Sequence, residues 1–144
     1  MDAAAQRQQI EAIAQRFAQI APDGWARLVG NWEATQDPDG NTVLNYLTLA
    51  VVDGSDRWLY GQVAYDEPLY DLVAQLNGTA ASDGEGRWTV FDLEVDADGS
   101  YRTDFGYDAP KRSNGIMDEE SLGRFQSYLE TWMADHGPIP AGGR

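Results

Sequence analysis

Few side chains in this sequence have the chemistry of a catalyst. The chain has one histidine, His136, and no cysteine, so a histidine pair, a thiolate nucleophile and a disulfide are all excluded. Its serines lie in no Gly-x-Ser-x-Gly sequence, and neither a Gly-x-Gly-x-x-Gly loop nor a Walker pattern occurs. His136 falls at the end of a predicted helix, where a partly cationic imidazole complements the helix dipole. We therefore predict no enzymatic activity, no catalytic residue and no cofactor.

Three short aspartate-rich loops have the composition of cation sites. The best of them begins at residue 96, and a calcium-binding EF-hand loop needs glycine at its sixth position and a bidentate acid at its twelfth. Here Gly99 falls at the fourth position and Tyr107 at the twelfth. A hairpin turn explains this loop better, and the same interpretation applies to residues 37–41 and 53–56. We predict no metal site.

The most informative pattern lies in the two strands predicted around this turn, residues 87–96 and 100–107. A three-residue loop, 97–99, gathers the apolar residues of both strands on one face, whereas a two-residue loop mixes apolar and acidic residues on both faces. The longer loop therefore sets the register. It pairs Phe91 with Phe105, Leu93 with Thr103 and Val95 with Tyr101 on one face, and Asp92 with Asp104, Glu94 with Arg102 and Asp96 with Ser100 on the other.

This register places Asp92 directly opposite Asp104, and like charges in that position destabilise a sheet. A nearby cation would offset the cost, either Arg102 or a lysine or arginine of a partner. If both carboxylates point into water, screening keeps the cost small. We take Asp92, Glu94, Asp96 and Asp104 as the candidate docking face for a basic protein.

The overall charge favours the same kind of partner. Twenty-four acidic residues against ten basic ones give a net charge of −14. A field of this sign repels nucleic acids and anionic membranes and attracts basic proteins, so we expect neither a nucleic acid nor a membrane as partner. Acidity that serves only solubility or adaptation to salt is the competing explanation.

Aromatic residues supply a second set of candidates. The chain has five tryptophans and seven tyrosines, and most of them are expected in the core. Trp58 and Tyr60, on the third predicted strand, are candidate anchors of a protein interface because tryptophan and tyrosine are favoured there. A core position is the alternative for each.

The rest of the sequence predicts the elements that hold these residues. Strands are expected over residues 27–36, 42–52 and 57–65, where close turns between neighbours imply antiparallel pairing. A short helix over 69–76 follows Pro68. Two longer helices carry apolar residues at helical spacing: the first, over 3–20, through Ile10, Ile13, Ala14, Phe17 and Ile20, and the last, over 118–135, through Leu122, Phe125, Leu129, Trp132 and Met133.

Together these elements predict one α+β domain, residues 1–138, with a flexible tail at 139–144. Its sheet is mostly antiparallel and five-stranded, and the N-terminal and C-terminal helices pack on one face. Residues 77–86 are expected to form a surface loop and 109–117 an irregular connection. The N-terminus shows no basic segment leading into an apolar run, and no apolar stretch has the length of a membrane span, so we expect a cytoplasmic protein.

Several of these segments resemble the YezG-like immunity proteins, bacterial antitoxins that protect against polymorphic toxins. The resemblance lies in a first helix that ends at Ala21-Pro22-Asp23-Gly24-Trp25, in the strands at 26–34 and 44–52, and in the segments 88–95 and 101–108. A closing helix carries Phe125, Tyr128, Leu129 and Trp132. The likeness covers most of residues 5–135 and rests on element order and aromatic positions.

The resemblance implies a non-enzymatic inhibitor that binds a cognate toxin, often a nuclease, and blocks its active site. It carries no catalytic motif, so no residue inherits a role from it. The alternatives are a small-ligand-binding module, with a pocket between helices and sheet, and a hydrolase that works with carboxylates alone. A gene lying directly downstream of a toxin gene would favour the immunity function. The sequence leaves the toxin and the oligomeric state open.

Overall fold

The fold is α+β, built on a five-stranded antiparallel sheet, as the sequence predicts. A computed structural model describes residues 3–80, 86–118 and 124–140. In chain order its elements are α1 (Ala3–Gln19), β1 (Trp25–Gln36), β2 (Thr42–Asp53), β3 (Trp58–Gly61), α2 (Glu67–Thr79), β4 (Val90–Asp96), β5 (Tyr101–Gly106), a 3₁₀ turn (Arg112–Asn114), α3 (Arg124–Gln126) and α4 (Tyr128–His136). The sheet order is β3-β2-β1-β4-β5. No helix in these ranges is both long and apolar enough to cross a bilayer.

The main core lies between the sheet and the helices α1 and α2. Ile10, Ile13, Ala14 and Phe17 are the buried residues of α1, and their spacing is the one that the sequence predicts. The edge of Phe17 points at Trp32 across 5.8 Å between ring centroids, and Trp32 stacks on Phe91 at 5.6 Å. Edge-to-face and offset aromatic pairs each add stabilisation beyond the apolar area they bury.

The C-terminal helix lies on the opposite face of the sheet, so the prediction that both terminal helices share one face is wrong. Tyr128 and Trp132 of α4 pack with Val29, Leu49 and Val51 in a second apolar cluster. Side chains of successive strand residues point to opposite faces, and Leu28 and Ala50 belong to the main core. The central strands are thus apolar on both faces, and each face requires its own helix.

The strand β2 contributes residues to both apolar clusters, one on each face of the sheet. Val43, Leu47, Leu49 and Val51 share one parity, but Leu49 and Val51 lie under α4, and Val43 is 45% exposed. The main core instead takes Leu44 and Ala50 from this strand.

Several predicted boundaries differ from the structure, most visibly those of β3 and α2. The third strand is shorter than 57–65, because β3 pairs with β2 only through the four residues Trp58–Gly61. The helix α2 begins at the cap Asp66, which accepts a hydrogen bond from the Leu69 N–H at 2.9 Å, and it runs into the predicted loop 77–86. Asn77 is a buried helical residue whose amide donates to the Trp88 carbonyl at 2.7 Å. Residues 81–85 of that predicted loop lie outside the described residues.

The last helix is described from Arg124 onward, as α3 and α4. Leu122 of the predicted stripe lies outside the described residues, as does the predicted first turn at 119–123. Phe125, Leu129 and Met133 are partly buried against the second cluster. Gly137, at a φ of 88°, ends α4 where the sequence predicts.

A buried ion pair holds the connection after β5 against the sheet. Glu33 of β1 and Arg112 of the 3₁₀ turn are 3% and 5% exposed, and their closest charged atoms, Oε2 and Nη1, are 3.6 Å apart. The Glu33 carboxylate accepts from the N–H groups of Arg112 and Ser113 at 3.1 and 2.8 Å. The guanidinium donates to the side-chain oxygens of Asn31 and Asn45 at 2.8 and 3.1 Å. Both buried charges are therefore compensated by hydrogen bonds as well as by each other.

We predict that Glu33→Gln lowers the free energy of unfolding by about 3–5 kcal/mol, because it leaves the Arg112 charge buried without its counter-charge. Urea denaturation of the variant measures the change. The double variant Glu33→Leu with Arg112→Met should lie closer to wild type, since it removes both charges. If the free energy of unfolding of Glu33→Gln falls by less than about 1 kcal/mol, the pair contributes little to stability and the prediction is wrong.

Gly30 of β1 is required by the aromatic core. A methyl group at Gly30 would overlap the ring of Trp32 and approach Cε2 of Phe17 to 3.2 Å. Gly78, inside α2, has no atom within 4 Å of the same position.

These two glycines make a matched pair of substitutions. Gly30→Ala should destabilise the protein by about 1–3 kcal/mol through overpacking. Gly78→Ala should stabilise it by about 0.5–1 kcal/mol, because alanine loses less backbone entropy in a helix. Thermal melting of both variants checks the signs, and two shifts of the same sign would contradict the packing described for Gly30.

Candidate functional site

The candidate docking face lies on the hairpin of β4 and β5, and its predicted register is confirmed. Asp92 pairs with Asp104, Glu94 with Arg102 and Phe91 with Phe105. The loop has three residues: the Asp96 N–H donates to the Ser100 carbonyl at 2.8 Å, and the Gly99 N–H donates to the Asp96 carbonyl at 2.9 Å. Gly99 has a φ of 92°, the left-handed conformation that this turn requires.

The two faces of the hairpin differ in chemistry as predicted. Phe91, Leu93 and Val95 are buried in the main core, and Phe105 stacks on Phe91 at 5.1 Å. Asp92, Glu94 and Asp96 point to the other face and are only half-buried. That face is the one on which α3 and α4 lie, so the acids do not form an open surface.

Arginines of the same chain hold these three carboxylates. Arg124 of α3 pairs with Asp92 through Nη1 and with Glu94 through Nη2, the latter at 2.6 Å. Arg102 joins Glu94 and Asp96, each at 3.0 Å. The cation beside Asp92 is therefore Arg124, whereas Arg102, one of the cations that the sequence offered for this place, pairs with Glu94 and Asp96 instead.

Glu94 is the centre of this arrangement. The Tyr128 hydroxyl donates to its Oε2 at 2.8 Å, and Arg27 of β1 lies 3.9 Å from its Oε1. Burial raises the pKa of Glu94, but the hydrogen bonds from Tyr128, Arg124 and Arg102 outweigh it, so the pKa falls below its ordinary value. Burial also raises the pKa of Asp96, and the hydrogen bonds from Arg27 and Arg102 again lower it below the usual range. Both groups stay ionised at neutral pH.

Asp104 is the predicted docking residue that remains exposed. Among the described residues, no arginine or lysine forms an ion pair with it. Asp104 and Asp108 line one wall of a cleft of about 400 Å³ that also reaches Asp92. The cationic side chains in this cleft are paired: Arg112 with Glu33, Arg124 with Asp92, and Lys111 with Asp118 at 3.2 Å. The cleft therefore presents carboxylates to solvent.

Trp58 and Tyr60 lie far from the acidic residues. They belong to β3, and the sheet order places β3 and β5 on opposite edges, about 20 Å apart at the usual strand spacing. The Trp58 indole donates to the Gly137 carbonyl at 3.0 Å and packs edge-on against Trp132 at 5.2 Å. The Tyr60 hydroxyl accepts from the Leu129 N–H at 2.8 Å. Both residues tie α4 to the sheet, although Tyr60 remains 48% exposed.

The other candidates for chemistry have structural surroundings. His136 is the last residue of α4, as predicted, and its ring stacks on Trp132 at 3.7 Å. Within the described ranges, no three histidines, cysteines or carboxylates lie together as metal ligands would. The pocket beneath Tyr65 and Tyr70 holds only about 10 Å³, which is the room of a single water.

Comparison with known proteins leaves the chain without an assigned family. No protein-family model matches it, and no curated protein matches it significantly. The resemblance to YezG-like immunity proteins therefore stays a prediction.

Arg27, Arg124 and Tyr128 were not identified from the sequence as the partners of the acidic residues of β4. Arg27 lies opposite Asp96 in the pairing of β1 with β4, and this pairing joins strands that are not neighbours in sequence. Arg124 and Tyr128 are four residues apart, which places them on one side of a helix. That spacing was the available signal, and it became meaningful only once the C-terminal helix lay on the acidic face.

We predict that acid destabilises the protein partly through Glu94. Its pKa is lowered in the folded state, so its contribution to stability is complete above the ordinary pKa of glutamate and is lost as the pH falls through the folded-state pKa. The variant Glu94→Gln should be less stable than wild type at pH 7 and should lose less stability between about pH 5 and pH 2. Urea denaturation along a pH series measures both slopes, and equal slopes would contradict the assignment.

Proposed function

We propose that this chain is a non-enzymatic inhibitor that captures a basic protein, and that it serves as a bacterial immunity protein of the YezG-like kind, neutralising a toxin in the cytoplasm. The observation that carries this proposal is that most basic side chains are paired with carboxylates of the same chain, so that the remaining surface charge is acidic.

The basic side chains are largely engaged with the chain's own carboxylates. In the described ranges six of the ten basic residues form ion pairs. One partner of each is given by the pairs Arg16–Asp66, Arg27–Asp96, Arg102–Glu94, Lys111–Asp118, Arg112–Glu33 and Arg124–Asp92. These pairs cancel in the field of the protein. The net charge of −14 therefore rests on the carboxylates outside them.

Such a surface suits fast capture of a basic partner. Complementary fields steer the encounter of two proteins and raise the association rate well above that of neutral surfaces. A toxin that acts on nucleic acid carries a basic surface of its own, because binding to phosphates requires it. An inhibitor of such a toxin gains from the acidity that we observe.

The geometry favours binding over acid catalysis by carboxylates. A carboxyl group that acts as a general acid near neutral pH needs a raised pKa. The pKa values of Glu94 and Asp96 are lowered, because arginines and Tyr128 bind their charged forms.

The test uses the protein encoded immediately upstream of this chain's gene. Co-expression should rescue growth of cells that produce that protein, and the association rate of the two should fall as salt is raised, since exposed charges act within about 8–10 Å. Absence of rescue, or an association rate that salt leaves unchanged, would overturn the proposal.

Single substitutions locate the charges that matter. Asp104→Asn should slow association at low salt while leaving the melting temperature unchanged, because Asp104 is exposed. Asp71→Asn removes the same charge from the exposed side of α2 and serves as the matched control. Asp92→Asn should lower the melting temperature, since Asp92 holds Arg124. Equal rates for Asp104→Asn, Asp71→Asn and wild type would remove Asp104 from the interface.

A further inference from the structure

The strand β5 ends the sheet, and its outer backbone groups have no neighbouring strand in the part of the chain that the structure describes. The Ser100 carbonyl accepts a hydrogen bond from the N–H of Asp96, the last residue of β4. The Gly106 carbonyl accepts one from the N–H of Thr89, the residue before β4, and both distances are 2.8 Å. Backbone groups of an antiparallel strand alternate between its two sides. The N–H and C=O groups of Tyr101, Thr103 and Phe105 therefore point away from the sheet.

The opposite edge of the sheet is less open. β3 covers residues Ala50–Asp53 of β2, and beyond it the N–H of Leu44 donates to the Tyr70 hydroxyl at 2.9 Å. A side chain of α2 thus satisfies a backbone group that an added strand would need. β5 has no comparable contact among the described residues.

Two grooves of different chemistry flank β5, one on each face of the sheet. On the core face, Ala14 and Ala18 of α1 form a groove of about 290 Å³ with Val95 and Tyr101. On the other face lies the cleft of about 400 Å³ with Asp92, Asp104 and Asp108. The groove, which Glu11 and Gln15 also line, reaches β5 at Tyr101, and the cleft reaches it at Asp104 and Gly106. A strand laid beside β5 would therefore turn side chains of one parity toward the groove near Tyr101 and those of the other parity toward the carboxylates near Asp104.

We propose that β5 accepts an added β-strand from the basic partner, an extended segment in which apolar and basic residues alternate. Backbone hydrogen bonds to Tyr101, Thr103 and Phe105 hold the segment, and the two grooves select its side chains. The inference rests on the proposed function and deepens it, because it names the form in which the partner is recognised.

Charge decides between a partner strand and a second copy of this chain. Two copies would each bring a net charge of −14, which opposes their approach. A segment with lysine or arginine at every second position instead meets Asp104 and Asp108 with opposite charge. Arg102, on the same face of β5, is already paired with Glu94 and Asp96. The net charge thus disfavours a second copy at this edge and favours a basic strand.

The test uses two synthetic peptides of seven residues with the same composition. In one, lysine and valine alternate; in the other, the lysines precede the valines, so that the charge is kept and the strand pattern is lost. Fluorescence anisotropy of the labelled peptides gives their affinities for the full chain. We expect the alternating peptide to bind about tenfold more tightly or better.

The variant Thr103→Pro removes one outward N–H without breaking the pairing of β5 with β4, since proline is tolerated on the open side of an edge strand. It should weaken binding of the alternating peptide about tenfold or more, whereas Thr103→Val, which keeps the N–H, should not. If Thr103→Pro fails to fold, N-methylation of the valine amides in the alternating peptide makes the same test on the wild-type protein.

The outcomes separate this inference from the proposed function. Equal affinities for both peptides, unaffected by Thr103→Pro or by N-methylation, would overturn strand addition and leave capture by charge standing. No binding of either peptide would also overturn strand addition, and growth rescue with the salt series would still decide the proposed function by itself.

Discussion

The buried pair of Glu33 and Arg112 is the interaction on which one whole face of the structure depends. The central strand β1 turns Asn31 and Glu33 toward that face, and Glu33 is 3% exposed. A carboxylate so placed must be compensated, because burial of an unpaired charge costs several kcal/mol. Arg112 and the N–H groups of the 3₁₀ turn supply the compensation. The connection after β5 is thereby held against the sheet, and the chain can continue to α3 and α4 on the same side.

Arg124, Arg27 and Tyr128 extend this polar layer across the sheet. The Glu94 carboxylate forms an ion pair with Arg124 at 2.6 Å and accepts a hydrogen bond from the Tyr128 hydroxyl at 2.8 Å. This one side chain therefore connects β4 to both α3 and α4. Arg27 also lies over the Trp132 ring at 4.8 Å, which links the polar contacts to the second apolar cluster. The C-terminal helix is consequently held by charge on one side and by Val29, Leu49 and Val51 on the other.

The alternation of apolar and polar residues within one element can be predicted from the sequence, whereas contacts between residues far apart in the sequence cannot. The hairpin register follows from the alternation of apolar and acidic residues along both strands, because a slip of one residue would bury acids. The stripe of α1 follows from helical spacing. Glu33 gives no such signal, since its partner is 79 residues away. The face of the last helix is missed for the same reason: strands such as β1 and β2, apolar on both faces, favour either side equally. Arg124 could be assigned to Asp92 only once that face was known.

Under the proposed function, stability and binding rest on different charges. The arginines that hold the helices are partly buried with their carboxylates, and salt screens such pairs less than it screens exposed charges. Asp104 and Asp108 lie in an open cleft beside an unpaired strand edge, where screening is stronger. Salt that weakens capture of a basic protein should thus leave the fold intact. In the part of the chain that the structure describes, six of the ten basic residues pair with carboxylates of the same chain, with side chains between 3% and 52% exposed. Under the proposed function, this pairing leaves the remaining carboxylates to meet a basic partner.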